Sequence, residues 1–236
     1  MPAPAAPTPT PRRRATRIVV GALVAVLLLA ALGFAAIRLY AGQQTGGDVA
    51  EPTVAGAATA VTADPADLDG AYAVGDGSEA GYRVDEVLAG KDVTVVGRTS
   101  EVTGSATIAG GELTEATIDV DMASIETDES QRDARFQDIL GTAEFPTATF
   151  ELSEPVDVSA VADGETVTVD AAGTMTIQGV PQDVTATLQV RLTEDGAAVS
   201  TQVPVTFADY GVTAPDLGFV TVEDDGFVEA ELALTR

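Results

Sequence analysis

The feature that most constrains this chain is a strict two-residue alternation. Val184-Thr-Ala-Thr-Leu188-Gln-Val190-Arg-Leu192 places every apolar side chain on one side of an extended backbone and every polar one on the other. Ala116-Thr-Ile118-Asp-Val120-Asp-Met122 and Val228-Glu-Ala-Glu-Leu232-Ala-Leu234 repeat the pattern, and Val199–Val205 follows it less strictly. Period-two alternation means one face buried and one face wet, the signature of antiparallel sheet. Turn signals separate the runs at Gly110-Gly111, Asp163-Gly164, Asp195-Gly196 and Asp225-Gly226. The pattern predicts about eight strands, near 81–86, 92–100, 102–109, 112–122, 147–156, 166–177, 183–194 and 198–206, with 227–235 as a further candidate. An antiparallel array of this size hides its edges by closing into a barrel.

One segment departs from the pattern. Asp128–Leu140 reads as a short helix, with Asp128 as the expected N-cap, Gln131 completing a loose capping box, and Phe136, Ile139 and Leu140 forming a narrow apolar stripe. Gly141 ends it and Pro146 marks the start of the next strand. The stripe is expected to pack on one end of the sheet.

Ahead of the strands lies Ile18 to Ile37, a run of 20 residues without a charge between Arg17 and Arg38. About 20 apolar residues span a bilayer as a helix. Arg12, Arg13, Arg14 and Arg17 place the N-terminus in the cytoplasm by the positive-inside rule. A cleaved signal peptide is the rival, but its apolar core is usually about 7–15 residues, and Ala55-Gly56-Ala57 is a distant cleavage site. A buried helix of a soluble core is a third reading. The expected organisation is therefore 1–17 cytoplasmic and disordered, 18–39 a transmembrane helix, 40–80 a flexible linker, and 81–236 the β domain outside the cell membrane. As a flexible coil the linker reaches about 30–35 Å.

Composition removes most chemistry. The chain has no His and no Cys, so Ser-His-Asp triads, thiolate nucleophiles, disulfides and thiolate metal sites are excluded. The formal net charge is −25. Beyond residue 40, seven basic residues against 37 acidic ones leave −30, which argues against a nucleic-acid partner. Ser124 lacks a base, and Lys91 is the one lysine. Among so many carboxylates some pair is inevitable, but sugar sites want aromatic platforms and there is no Trp. Glu223-Asp224-Asp225-Gly226 matches no EF-hand. Arg132 and Asp133 can serve either as a head-group contact or as structural partners. The reading is of a binding protein, not an enzyme, with no catalytic residue, metal or cofactor assigned.

The order and spacing of Ser124-Ile125-Glu-Thr127, Arg132-Asp133, Phe145-Pro146-Thr-Ala-Thr-Phe150 and Gly173-Thr-Met175-Thr-Ile177-Gln-Gly179-Val180 resemble the YceI-like lipid/polyisoprenoid-binding family. Asp209-Tyr210-Gly211-Val212 and the strand that closes the chain add to it, so the resemblance spans roughly 82–236. It implies a lipocalin-like, extended antiparallel barrel that holds a long isoprenoid chain inside. The family's start usually carries an aromatic, often Trp, and a His-Ser pair; here Tyr82-Arg83-Val84-Asp85 stands without Trp or His. With that fold, the residues expected to line the ligand are Val95, Ile108, Ile118, Val120, Phe136, Phe150, Met175, Ala186, Leu188 and Phe207. Two functions follow: a membrane-anchored carrier of a polyisoprenoid (a quinone or polyprenol), or a ligand-free β module on a membrane stalk used for envelope interaction or stress protection. A barrel of eight strands is just wide enough to be filled by side chains or to hold one small ligand, so pattern alone leaves both open.

Overall fold

The computed structural model describes residues 50–54 and 61–236. The expectations for 1–17 and for a membrane helix over 18–39 lie outside the described residues. Among the described residues, no helix is long and apolar enough to cross a membrane.

The strands are β1 (Gly70–Val74), β2 (Glu79–Leu88), β3 (Lys91–Thr99), β4 (Val102–Ala109), β5 (Glu112–Asp121), β6 (Thr147–Leu152), β7 (Val156–Asp157), β8 (Val167–Ile177), β9 (Val180–Thr193), β10 (Gly196–Thr206), β11 (Val220–Val222) and β12 (Asp225–Thr235). Every pairing is antiparallel. Eight strands close a ring in the order β1-β4-β5-β6-β8-β9-β10-β12 and back to β1. The expected barrel is therefore present, but its membership differs from the pattern-based one. β1 falls inside the segment read as linker, so the boundary at 81 is corrected: the folded domain begins before it. Gly70-Ala-Tyr72-Ala-Val74 is too short for alternation to stand out among Asp-Gly pairs. What makes it a strand is distant pairing, Tyr72 against Ala106 on β4 and Val74 against Leu234 on β12.

The β2–β3 hairpin stands beside the ring, on the half of β12 that β1 leaves uncovered. Its outer edge is held by reciprocal backbone bonds between Arg98 and Glu126, at 2.9 and 3.0 Å. Ala89-Gly90 and Gln178-Gly179 form its turn and that of β8–β9, with φ of 51° and 79°, and 53° and 73°. Positive φ at both central residues is the type I′ geometry that suits the twist of paired strands.

Four other expectations are corrected. The strand expected over 147–156 breaks between Leu152 and Val156. Asp163-Gly164 ends a 3₁₀ turn (Ser159–Asp163) instead of joining two strands. Asp225-Gly226 opens β12, where Gly226 lies opposite Val205; a Cβ there would come 2.7 Å from the Arg83 carbonyl oxygen, so close approach is its role. The helix α1 (Ser130–Leu140) starts one residue late. Its N-cap is Glu129, whose side chain accepts from the Gln131 N–H, while Asp128 pairs with Arg132.

The barrel end bearing β1 is closed by two 3₁₀ turns, Pro65–Leu68 and Ser159–Asp163, which bury Leu68, Val161 and Ala162. The Tyr72 hydroxyl donates to the Leu68 carbonyl at 2.7 Å. On the outer wall, Glu229 of β12 is wholly enclosed, at 0% exposure. It accepts from Arg83 Nε of β2 at 2.6 Å and Gln202 Nε2 of β10 at 2.8 Å, and it pairs with Arg98 of β3. One carboxylate thus ties together four strands. Residues 50–54 run along the same wall: the Ala50 carbonyl accepts from Arg83, and Thr53 N–H donates to Glu231.

Candidate functional site

Alternation along each ring strand delivers a continuous inward face. Through cross-strand register it runs from Val102 and Val120 to Ile118 and Phe150, on to Met175, and round through Val190, Val199 and Leu232. Buried side chains on it form two clusters. The lower one joins Leu68, Val161, Val190, Leu192, Val199 and Leu232; the upper one joins Met175, Ile177, Ala186, Val203, Val205 and Tyr210. Leu188 packs against both, so the interior is one apolar column.

Eight of the ten expected lining residues lie along this column; Val95 and Phe136 do not. Ile108, Ile118, Val120 and Leu188 pack on the lower cluster; Phe150 and Phe207 pack on the upper one, which contains Met175 and Ala186. The Phe150 ring lies over Gly173, where a Cβ would meet it at 2.4 Å. Val95 is buried opposite Val84 on the β2–β3 hairpin, outside both clusters. Ile118, Val120, Leu188 and Ala230 are only half-buried although register turns them inward. A cavity of about 50 Å³ lies against Tyr72, Ile108, Leu113, Leu188 and Leu234.

α1 lies at the opposite end, against Tyr82 of β2 and the β8–β9 turn, where Gln178 Nε2 donates to the Ile139 carbonyl at 3.2 Å. Phe136 stacks on Tyr82 of β2, with ring centroids 4.8 Å apart and planes within 10°. Tyr82 in turn lies flat on Gly97, its register partner on β3, where a Cβ would come 2.5 Å from the ring. Phe136 of the expected stripe therefore docks, through an aromatic partner that the pattern did not single out, while no α1 residue, Ile139 and Leu140 included, is fully buried. Phe136→Asp sets a charge against that ring and is expected to cost about 2–4 kcal/mol. Chemical denaturation measures it; a parent-like midpoint would place the stripe in solvent.

Polar groups gather beneath the same helix. Arg132 pairs with Asp128 at 2.5 Å and faces Glu86 of β2 at 3.7 Å. Asp133 accepts from the Thr127 N–H at 2.9 Å and its hydroxyl at 2.6 Å, so it holds the helix start. Ser124 has a hydroxyl partner in Thr99 at 2.6 Å, which is a structural role. Burial raises the pKa of Glu86, against the opposing charge of Arg132. Burial also pushes Tyr82 up to about 12, partly offset by Arg132 and reinforced by Asp133, Glu86 and Asp128. Among the described residues no group of three or more acidic side chains could hold a metal ion.

Tyr82 and Glu86 escaped the pattern-based selection. The signal was there: Ala80, Tyr82, Val84, Glu86 and Leu88 share one side of β2, and a glutamate in an otherwise apolar row is an anomaly worth following.

A family model described as a YceI-like domain matches residues 73–234. Among solved structures, the chain is similar to a polyisoprenoid binding domain from Saccharophagus degradans implicated in plant cell wall breakdown. Identity is 23% and the TM-score 0.55, over 71% of this chain and 98% of that one. It is also similar to Burkholderia cenocepacia BcnA, at 16% identity and a TM-score of 0.50, over 66% of this chain and 96% of the other. Likeness at these identities establishes a shared fold. No curated protein matches the chain.

Proposed function

The chain belongs to the YceI-like family, and from that premise we propose that it is a binding protein, not an enzyme, which holds an isoprenoid-type lipid (a polyprenol or a quinone) along its barrel interior. The observation that carries the reading is the apolar column from Val205 and Tyr210 at one end to the Leu68 closure at the other, with Ile118, Val120 and Leu188 still half-buried on it. The relative from Saccharophagus degradans, described as polyisoprenoid binding, supports the ligand class. Each buried CH₂-sized group contributes about 0.8 kcal/mol, so a chain of several isoprene units is held without any polar contact.

The Arg-flanked run at Ile18–Ile37 and the acidic body support the rest of the reading. In it the protein is a single-pass membrane protein with its N-terminus cytoplasmic and its barrel outside, beside the bilayer that supplies the ligand.

One observation favours the second reading, a ligand-free β module on a membrane stalk. The cavity of about 50 Å³ is far below the roughly 300–1,000 Å³ of ordinary ligand pockets, so a lipid enters only if inward side chains move aside. A thermal titration separates the two. Adding a long-chain polyprenol to the full chain at a hundred times its dissociation constant is expected to stabilise it by about 2.7 kcal/mol. That corresponds to a rise of roughly 5–10 °C in the unfolding midpoint. Ala186→Trp or Val120→Trp, which fill the column, remove the rise. A midpoint unmoved by any polyprenol supports the stalked module.

A further inference from the structure

Where α1 crosses β2, three polar side chains meet the top of the apolar column. We propose that Tyr82, Glu86 and Arg132 form a head-group site that selects an isoprenoid lipid ending in a hydroxyl over one ending in a phosphate. The proposal deepens the lipid-binding reading above and rests on it.

The placement comes from register. Tyr82 lies opposite Val228 of β12, which packs on the upper cluster, so the site is continuous with the column. Glu86 is two inward positions farther along β2, and Arg132 reaches it from one helical turn before Phe136.

Glu86 is the group that asks for a ligand. It is 7% exposed, and among the described residues its carboxylate accepts no hydrogen bond. The nearest cation, Arg132 Nη2, stands at 3.7 Å, outside hydrogen-bond range. The Glu86 oxygens are not sealed from solvent, so the little water that reaches them is what a lipid hydroxyl would displace, supplying a donor inside a largely buried pocket. The same hydroxyl oxygen can accept from Arg132, whose guanidinium has five N–H groups and is tied at one nitrogen to Asp128. The Tyr82 phenol remains a neutral donor, because burial holds its pKa near 12.

Charge sets the selectivity. Glu86, Asp128 and Asp133 outnumber Arg132 in the electrostatic surroundings of Tyr82. A phosphate would bring further negative charge against the Glu86 carboxylate, which among the described residues faces a single cation, Arg132, at 3.7 Å. A quinone carbonyl can accept from Arg132 or Tyr82, yet it has no proton for Glu86.

The experiment measures affinity of the full chain for four probes of matched length: a saturated isoprenoid hydrocarbon, a polyprenol, its monophosphate and a polyprenyl quinone. The polyprenol is expected to bind at least tenfold more tightly than the hydrocarbon or the monophosphate, the size of one hydrogen bond to a charged group. Glu86→Ala is expected to erase the preference for the alcohol over the hydrocarbon. Glu86→Gln, an isosteric change that keeps an acceptor, retains part of that preference and raises monophosphate affinity about tenfold. Tyr82→Phe leaves the alcohol ahead of the monophosphate. Equal binding of alcohol and hydrocarbon, or tighter binding of the monophosphate or quinone, overturns the head-group site and leaves the lipid-binding reading intact. Binding of none of the four overturns that reading and this site with it.

Discussion

A chain that starts at Ser78 is expected not to fold. Such a truncation matches the visible boundary between low-complexity sequence and alternating strands, but it removes β1, the strand that closes the ring between β4 and β12. It also removes Leu68 and Tyr72, which are buried at the closed end. Each large side chain lost from a core costs about 2–5 kcal/mol, and two strand edges become open for pairing with other chains. The total reaches the whole stability of an ordinary domain, about 5–15 kcal/mol. Circular dichroism and size exclusion should show residues 78–236 aggregated or unfolded, and residues 50–236 folded. Equal melting of the two would mean that β1 is dispensable and the ring is closed by other means.

Glu229→Ala is expected to be the most damaging single substitution on the outer wall. Burial alone would raise the pKa of this carboxyl; hydrogen bonds from Arg83 and Gln202 and the charge of Arg98 outweigh it, and the net direction is downward. Removing the carboxylate strands two guanidinium groups that face each other across β2 and β3. Breaking such a pair from one side costs about 3–5 kcal/mol, a fall of roughly 6–20 °C in a domain of this size. Glu229→Gln keeps the shape and loses less. The acid dependence follows from the same shift. Because the folded pKa lies below the unfolded one, the stabilisation is complete above the unfolded value and disappears as pH falls through the folded value. Melts of the parent between neutral and strongly acidic pH should therefore steepen toward acid, and Glu229→Ala should flatten that part of the curve. A variant that melts like the parent at neutral pH would contradict the tie.

How much of this was legible in the sequence depends on element length. β9, β10 and β12 each run for 11 residues or more, so their alternation identified them and their inward faces. Ala186 and Leu188 could be assigned inward on that basis, and Ile118 by the alternation of β5, whereas Phe150 and Met175 are reached through the family resemblance. β1 has five residues and β11 three; both exist because of partners far along the chain, and no local period announces them. The helix was legible through its apolar stripe, while its cap shifted because Asp128 is engaged by Arg132. Tyr82 and Glu86 were hidden by the opposite problem. Their positions were readable, but their importance comes from α1 folding back over β2, a contact spanning about fifty residues. Alternation also says which face is inward without saying how much space it encloses, so the cavity emerges only from the packed barrel.

The central claim is that the barrel carries a lipid, and mass spectrometry of an organic extract of the purified full chain tests it most directly. Produced in a host with isoprenoid quinones and polyprenols, well-folded protein is expected to yield one such lipid in stoichiometric amount, and Val120→Trp to reduce it more than it reduces folded yield. Repeated extraction of native protein that yields no stoichiometric isoprenoid lipid would contradict the account.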